Sequence, residues 1–197
     1  MCRLIESIKI VNLQCQNISY HNERLNRSRK ELFGIDEVVD LSELISLPAN
    51  LDAGTYKCRV VYSDIVHNIE FIPYMPRKIN TLRLVYADEI NYSYKYHDRS
   101  CIKDLMKDIE EDDILIIKNG FITDTSFSNI IFYDGSNWVT PSTYLLNGTK
   151  RQFLLNTNKI LERNIHLADL KNFESALLIN AMLDIENRHP VRIKNIY

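Results

Sequence analysis

Most of the features that identify a chain at sight are missing from this one. Its 197 residues carry 24 basic and 26 acidic side chains, a net charge of -2, so no global electrostatic pull draws it to nucleic acid or an anionic membrane. The four cysteines, Cys2, Cys15, Cys58 and Cys101, form no C-x-x-C pair and have no clustered histidines around them. That excludes a zinc site and a secreted disulfide framework, and leaves reduced thiols. The opening residues lack the apolar run of a signal peptide, and no 18-residue stretch suited to a bilayer follows. Internal repeats, low-complexity tracts and a Gly/Ser-rich linker are absent too. What is there is a 45% hydrophobic composition, enough for one full core or two small ones. The chain is expected in the cytoplasm, with a small molecule or a protein as partner and no metal.

Residues 3–11 alternate and read as a strand. Residues 19–33 read as a helix, with Ser19 as its N-cap and Gly34 as a left-handed C-terminal cap. β-Branched and aromatic residues mark strands over 56–62, 67–71 and 79–86, one face of whose sheet the helix covers. Residues 88–94 connect two halves. Ile102, Leu105, Met106 and Ile109 stand at helical spacing and predict a helix from Asp98 to the acidic run Glu110–Asp113. Asn119-Gly120 and Asp134-Gly135 are hairpin signals among strands over 113–118, 121–123, 129–133 and 138–140, which predicts an antiparallel meander. A helix over 149–163, a buried strand over 176–181 and a close at 189–193 complete the chain. The expected fold is α+β (α/β, two-domain): a small sheet-and-helix domain over 1–88 and a larger, mostly antiparallel β domain with helices over 89–197.

Four residue settings stand out chemically. Lys95 lies among tyrosines in Tyr92-Ser-Tyr-Lys95-Tyr; such a lysine becomes a nucleophile where burial or nearby positive charge neutralises its amine, and otherwise snorkels into water. Asp124 either faces a ligand or caps the turn before Thr125-Ser126. Gly148 opens a helix whose Thr149 and Lys150 amides and dipole suit a phosphate, as a plain helix N-terminus would. Arg24 on the first helix either clamps an anion with its rigid fork or sits solvated like its neighbours Arg27 and Arg29. A lysine, an acid further along and a Gly-containing turn before a helix are the parts of a pyridoxal phosphate site.

Taken in order, Leu4-Ile-Glu6-Ser-Ile8, His21-Asn-Glu-Arg24-Leu25, Lys95-Tyr-His-Asp-Arg99, Thr123-Asp124-x4-Asn129-Ile-Ile-Phe132, Thr140-Pro141, Leu146-Asn-Gly148-Thr-Lys150-Arg151 and Ile179-Asn180-Ala181-Met182 resemble one family. It is that of the class IV (fold type IV) pyridoxal phosphate enzymes, which includes branched-chain and D-amino acid aminotransferases and aminodeoxychorismate lyases. The resemblance covers nearly the whole chain. It implies pyridoxal phosphate as cofactor, a small-molecule amino substrate and a homodimer. It also implies that Lys95 forms the Schiff base and moves the substrate proton, while Asp124, where the family usually has glutamate, pairs with the pyridine nitrogen. Arg24 and the amides of Thr149 and Lys150 would hold the phosphate, with Leu146 against the ring and Asn180 and Ala181 as a second phosphate-contacting turn. The family pattern G-I-T-R has its threonine where Lys150 stands here. Asn129 reads as structural, and His21 as support. The family's additional first strand and its longer insertion before the lysine are absent, which opens a rival reading as a non-catalytic descendant that acts as a partner protein. The Asn180-Ala181-Met182 tail and the Lys95-x-x-x-Arg99 spacing resemble the lyases more than the branched-chain aminotransferases, which stay the alternative. Arg59 suits a substrate carboxylate, but reads first as a water-facing strand residue.

Overall fold

The computed structural model describes residues 2–49, 51–186 and 189–197. Its contacts divide the chain into two units: Met1–Pro76 with Tyr94–Asp98, and Arg77–Ser93 with Arg99–Tyr197. The expected division after residue 88 is therefore displaced twice. Residues 77–88 belong with the second unit because their strand pairs there, and the segment bearing Lys95 belongs with the first.

In the first unit, β1 (Leu4–Val11) turns through residues 12–13 into the short β2 (Gln14–Cys15), and α1 (Ile18–Phe33) follows. The single helical turn α2 (Leu41–Leu44) and the hairpin of β3 (Thr55–Tyr62) and β4 (Val66–Pro73) complete an antiparallel sheet of order β2-β1-β3-β4. The strict alternation of β1 buries Leu4, Glu6, Ile8 and Ile10. These face the same way as Tyr62, Val60 and Cys58, their partners in register, and Leu25 of α1 packs into the same core. Glu6 is thus a carboxylate in an otherwise apolar row. The rest of the buried stripe of α1 is polar, His21, Arg24, Ser28 and Arg29, so the helix was legible from its C-terminal glycine rather than from apolar periodicity. Its C-terminal cap is as expected, with Gly34 at φ 70° and its amide on Lys30. The N-cap is Asn17, itself left-handed and without a side-chain cap bond, and not Ser19.

One edge of β1 is taken along its whole length by β3, while β2 covers only the far end of the other. The free part of that edge is filled by residues 95–97. Ile5 N–H donates to Lys95 O at 2.9 Å, His97 N–H donates to Arg3 O at 2.9 Å, and Leu4 bridges Tyr96.

The second unit opens with β5 (Leu82–Tyr86), which pairs in parallel with β6 (Asp113–Lys118) after the short α3 (Ser100–Leu105). β5 is therefore not a strand of the first sheet, and the helix expected up to residue 109 ends at 105. β6 is a fully buried run, Ile114–Ile117, flanked by β5 and by β7 (Phe121–Thr125) through the predicted Asn119-Gly120 hairpin. A second sheet has order β10-β9-β8-β11-β12, with β8 (Asn129–Tyr133), β9 (Trp138–Pro141), β10 (Leu161–Arg163), β11 (Ser175–Ile179) and β12 (Val191–Arg192). The expected meander is split between these two sheets after β7. Most pairings are antiparallel, β5/β6 and β9/β10 being parallel. The last helix, α4 (Thr149–Asn156), ends well short of residue 163 because Asn158 is left-handed (φ 54°), and 161–163 form β10. Leu154 of α4 and Ile160 pack on Ile131, Leu177 and Ile179 of the five-stranded sheet. Among the described residues no helix is long and apolar enough to cross a membrane, and no cluster could hold a metal ion.

Candidate active site

Within the first unit, the buried carboxylate of Glu6 organises a charged cluster. Arg24 donates to it twice, Nε to Oε1 at 2.8 Å and Nη2 to Oε2 at 2.5 Å, and His21 Nδ1 lies 2.6 Å from Oε2. Burial would raise the carboxyl pKa, but Arg24, helped by His21, outweighs it and holds Glu6 at about 2. Glu6 is therefore an anion throughout the working range and can only accept, so His21 Nδ1 carries the proton. Burial pushes His21 below its ordinary range against the pull of Glu6, and the charges of Arg24 and Lys95 add to that depression. Lys95 is half-buried. Its backbone pairs with Ile5, next to Glu6, so the lysine and Arg24 belong to one cluster although 71 positions separate them in sequence.

In the second unit a second carboxylate does comparable work by different means. Asp124 Oδ1 accepts from Asn129 Nδ2 at 2.7 Å, and Oδ2 accepts the amides of Leu145 and Leu146, each at 3.0 Å. All of these donors are neutral. Burial pushes its carboxyl up to about 6, with the Leu146 amide, Asn129, the Leu145 amide and the more distant charge of Arg151 limiting the rise. Asn129 Nδ2 also donates to Leu146 O at 2.8 Å, which supports its structural reading. The Asp124–Asn129 pair thus fixes both faces of the Leu146 peptide just before α4. Gly148 is where it must be: a Cβ there would run into Asn129 Oδ1.

Gly148 is also the N-cap of α4 and gives no side-chain cap bond, and an α-helix leaves its first amides without intrahelical acceptors. Those of Thr149 and Lys150 are at this end. The Lys150 side chain is buried and pairs with Asp184 Oδ1 at 2.7 Å. Arg151 is buried as well: it donates to Pro141 O at 3.0 Å, Asn147 Oδ1 at 3.2 Å and Glu162, and stacks on Tyr144. It ties the helix start to the ends of β9 and β10. The Asn180 side chain donates to Ser128 Oγ at 2.9 Å and accepts the Met182 amide at 2.8 Å. It braces the 125–128 turn, which leaves the Asn180–Ala181 backbone as the ligand-contacting part of that expectation. Arg99 donates to Ser126 O, in the same turn. Arg59 pairs with Glu70 across β3 and β4 at 2.6 Å, with its side chain only 25% exposed, so it is a part-buried cross-strand partner.

Sequence reasoning missed the roles of Glu6, Arg151 and Asp184. Glu6 carried a signal: it has the same strand parity as Leu4, Ile8 and Ile10. Arg151 and Asp184 carried none, because a cation near a helix start and an acid in a loop look like solvated charges.

Known proteins agree with these motifs. The model of the amino-transferase class IV family matches residues 95–186, from the candidate lysine to the loop of Asp184. A chain from Haemophilus somnus, provisionally named a 4-amino-4-deoxychorismate lyase, is 35% identical, with a TM-score of 0.85 over 92% of this chain and 97% of that one. This chain belongs to the class IV aminotransferase family. An uncharacterised protein of Haemophilus influenzae is 40% identical over 92% of this chain and 98% of its own length. A hypothetical aminotransferase of Mycobacterium tuberculosis in its pyridoxal-phosphate-bound form is 15% identical, with a TM-score of 0.73 over 99% of this chain and 81% of that one, and so shares the fold. Both Haemophilus proteins match almost end to end, so the short form is not peculiar to this sequence. Membership makes the chain a pyridoxal-phosphate-dependent enzyme. Its residues fit that cofactor: a buried carboxylate with only neutral hydrogen-bond donors suits a protonated ring nitrogen, and the amide end of α4, whose N-cap Gly148 gives no side-chain cap bond, suits a phosphate.

Proposed function

We propose that the enzyme is a lyase of the 4-amino-4-deoxychorismate type, releasing 4-aminobenzoate and pyruvate. The observation that carries this is the 35% identity, along almost both entire chains, to the Haemophilus somnus protein provisionally named for that activity. The likeness to the Mycobacterium tuberculosis aminotransferase lies at 15% identity and speaks only to fold.

Bound pyridoxal phosphate supplies an electron sink for the substrate carbon that bears the amine. Lys95 is assigned to hold the cofactor and then, as a neutral amine, to take the proton from that carbon. In an aminodeoxychorismate ring, loss of this proton lets the neighbouring carbon expel the enolpyruvyl oxygen; the ring becomes aromatic, and the leaving group becomes pyruvate. Asp124 is assigned to the ring nitrogen, which its carboxylate would hold protonated with the lone-pair capacity left by its three donors. Arg24 and the amides of Thr149 and Lys150 are assigned to hold the phosphate, with the Asn180–Ala181 backbone, and Leu146 would pack on the ring.

The test is to incubate the loaded enzyme with aminodeoxychorismate and, separately, with a panel of amino acids and 2-oxoglutarate. Pyruvate with 4-aminobenzoate from the first is the expected outcome. Glutamate from the second, with no aromatic product from the first, would make the chain an aminotransferase.

A further inference from the structure

Lys150 is a side chain that helix energetics alone would not keep. It occupies the second position of α4, where a cation opposes the positive end of the helix dipole. Its side chain is nonetheless only 7% exposed, although ammonium groups are strongly hydrated and costly to enclose. Its partner Asp184 is 43% exposed and lies in the segment that leaves β11, directly after the 180–183 turn. The ring of Phe153, with its centroid 5.6 Å from Nζ, covers another side.

The pair closes a triangle of three segments of the second unit. Asn129 joins the 124–129 turn to the Leu146 peptide, and Asn180 joins the 180–183 turn to Ser128 of the same 124–129 turn. Lys150–Asp184 joins the helix start back to the 180–184 segment. Without it, α4 and the 180–184 segment are each fastened to the 124–129 turn but not to one another by these side chains.

We propose that Lys150 and Asp184 form a strap that holds the opening amides of α4 at fixed spacing from the Asn180–Ala181 backbone, and so sets the enzyme's affinity for the phosphate group of its cofactor. Asp184 acts as a positioning residue through Lys150. The proposal rests on the reading of this helix start as the phosphate site.

Pyridoxal, which lacks the phosphate, separates the two. Dissociation constants of pyridoxal phosphate and pyridoxal are measured by absorbance titration of the full cofactor-free chain, with circular dichroism to confirm the fold of each variant. Asp184→Asn is expected to weaken pyridoxal phosphate about tenfold while pyridoxal binding is unchanged, and Asp184→Glu, which restores the charge, is expected to recover most of the loss. The double variant Lys150→Met/Asp184→Asn, which removes the enclosed charge along with its partner, should stay weak. Recovery of full affinity in the double variant would mean that only the lone buried charge mattered, and would overturn the strap. An unchanged or higher affinity for pyridoxal phosphate in Asp184→Asn, or an equal loss for pyridoxal, would overturn it as well. If the wild-type chain binds both compounds equally, the phosphate assignment falls and the strap with it; if wild type prefers the phosphate and Asp184→Asn keeps that preference, the strap alone falls.

Discussion

Two carboxylates, one in each unit, are enclosed by protein and accept three hydrogen bonds apiece, yet their pKa values move in opposite directions. Glu6 receives two bonds from the Arg24 guanidinium and one from His21, and its pKa falls to about 2. Asp124 receives one from a side-chain amide and two from backbone amides, and its pKa rises to about 6. The number of hydrogen bonds is the same, so the charge of the donors decides. A carboxylate beside a fixed cation is a permanent counter-ion, whereas one held by neutral dipoles still lacks a positive partner. The first suits holding an arginine in place. The second suits receiving a protonated ring nitrogen.

The largest expected effect comes from breaking the first arrangement. Glu6→Gln leaves a buried guanidinium without its anion, and should cost roughly 3–5 kcal/mol of stability in urea unfolding. Asp124→Asn should instead act on chemistry. It removes the charge proposed to balance the ring nitrogen, and turnover should fall on the order of 100-fold with the cofactor still bound; full turnover would show the acid to be misassigned. Gly148→Ala is the intermediate case. The new methyl meets Asn129 Oδ1 at a backbone geometry that alanine tolerates (φ -68°), so about 1–3 kcal/mol is expected from overpacking. Adding Asn129→Ala should return part of that loss, a coupling that a double-mutant cycle measures.

The pH dependence sharpens the contrast. Glu6 has a depressed pKa, so its contribution to stability is present above its unfolded value near 4.5 and is lost as pH falls toward about 2. Asp124 has a raised pKa, so its contribution is present below 3.8 and is lost as pH rises through about 6. Over the same range Glu6 and His21, both depressed, add stability as pH rises, so the test is the difference between chains: the urea midpoint of cofactor-free wild type relative to Asp124→Asn should fall between pH 4 and pH 7. Smallest of all is Arg59→Ala, which breaks a part-exposed cross-strand pair with Glu70. A change of at most about 1 kcal/mol and unaltered turnover are expected.

How much could be read in advance follows the same physical line. β1, β3, β6, the Gly34 cap and the Asn119-Gly120 hairpin were legible because local chemistry specifies them: alternation, β-branched runs and turn residues. Sheet membership was not, because β5 joins β6 across α3 by long-range parallel pairing that leaves no mark in either strand. The same limit explains Lys95. Its motif was visible, but its place on the free edge of β1 depends on β2 being too short to fill that edge. Asp124 was visible as an acid in a motif, while its hold on the Leu145 and Leu146 amides needed the chain to fold back across 21 positions. Asp184 had nothing around it to distinguish it from a solvated loop acid.

The central claim is that Asp124 is the carboxylate waiting for the cofactor's ring nitrogen. Titrating it directly, by carboxyl-carbon magnetic resonance with and without pyridoxal phosphate, tests this. The carboxyl should titrate near 6 in the cofactor-free chain and well below that in the loaded enzyme, with Glu6 staying ionised down to about 2 in both. An Asp124 carboxyl whose titration is the same in the two forms would contradict the account.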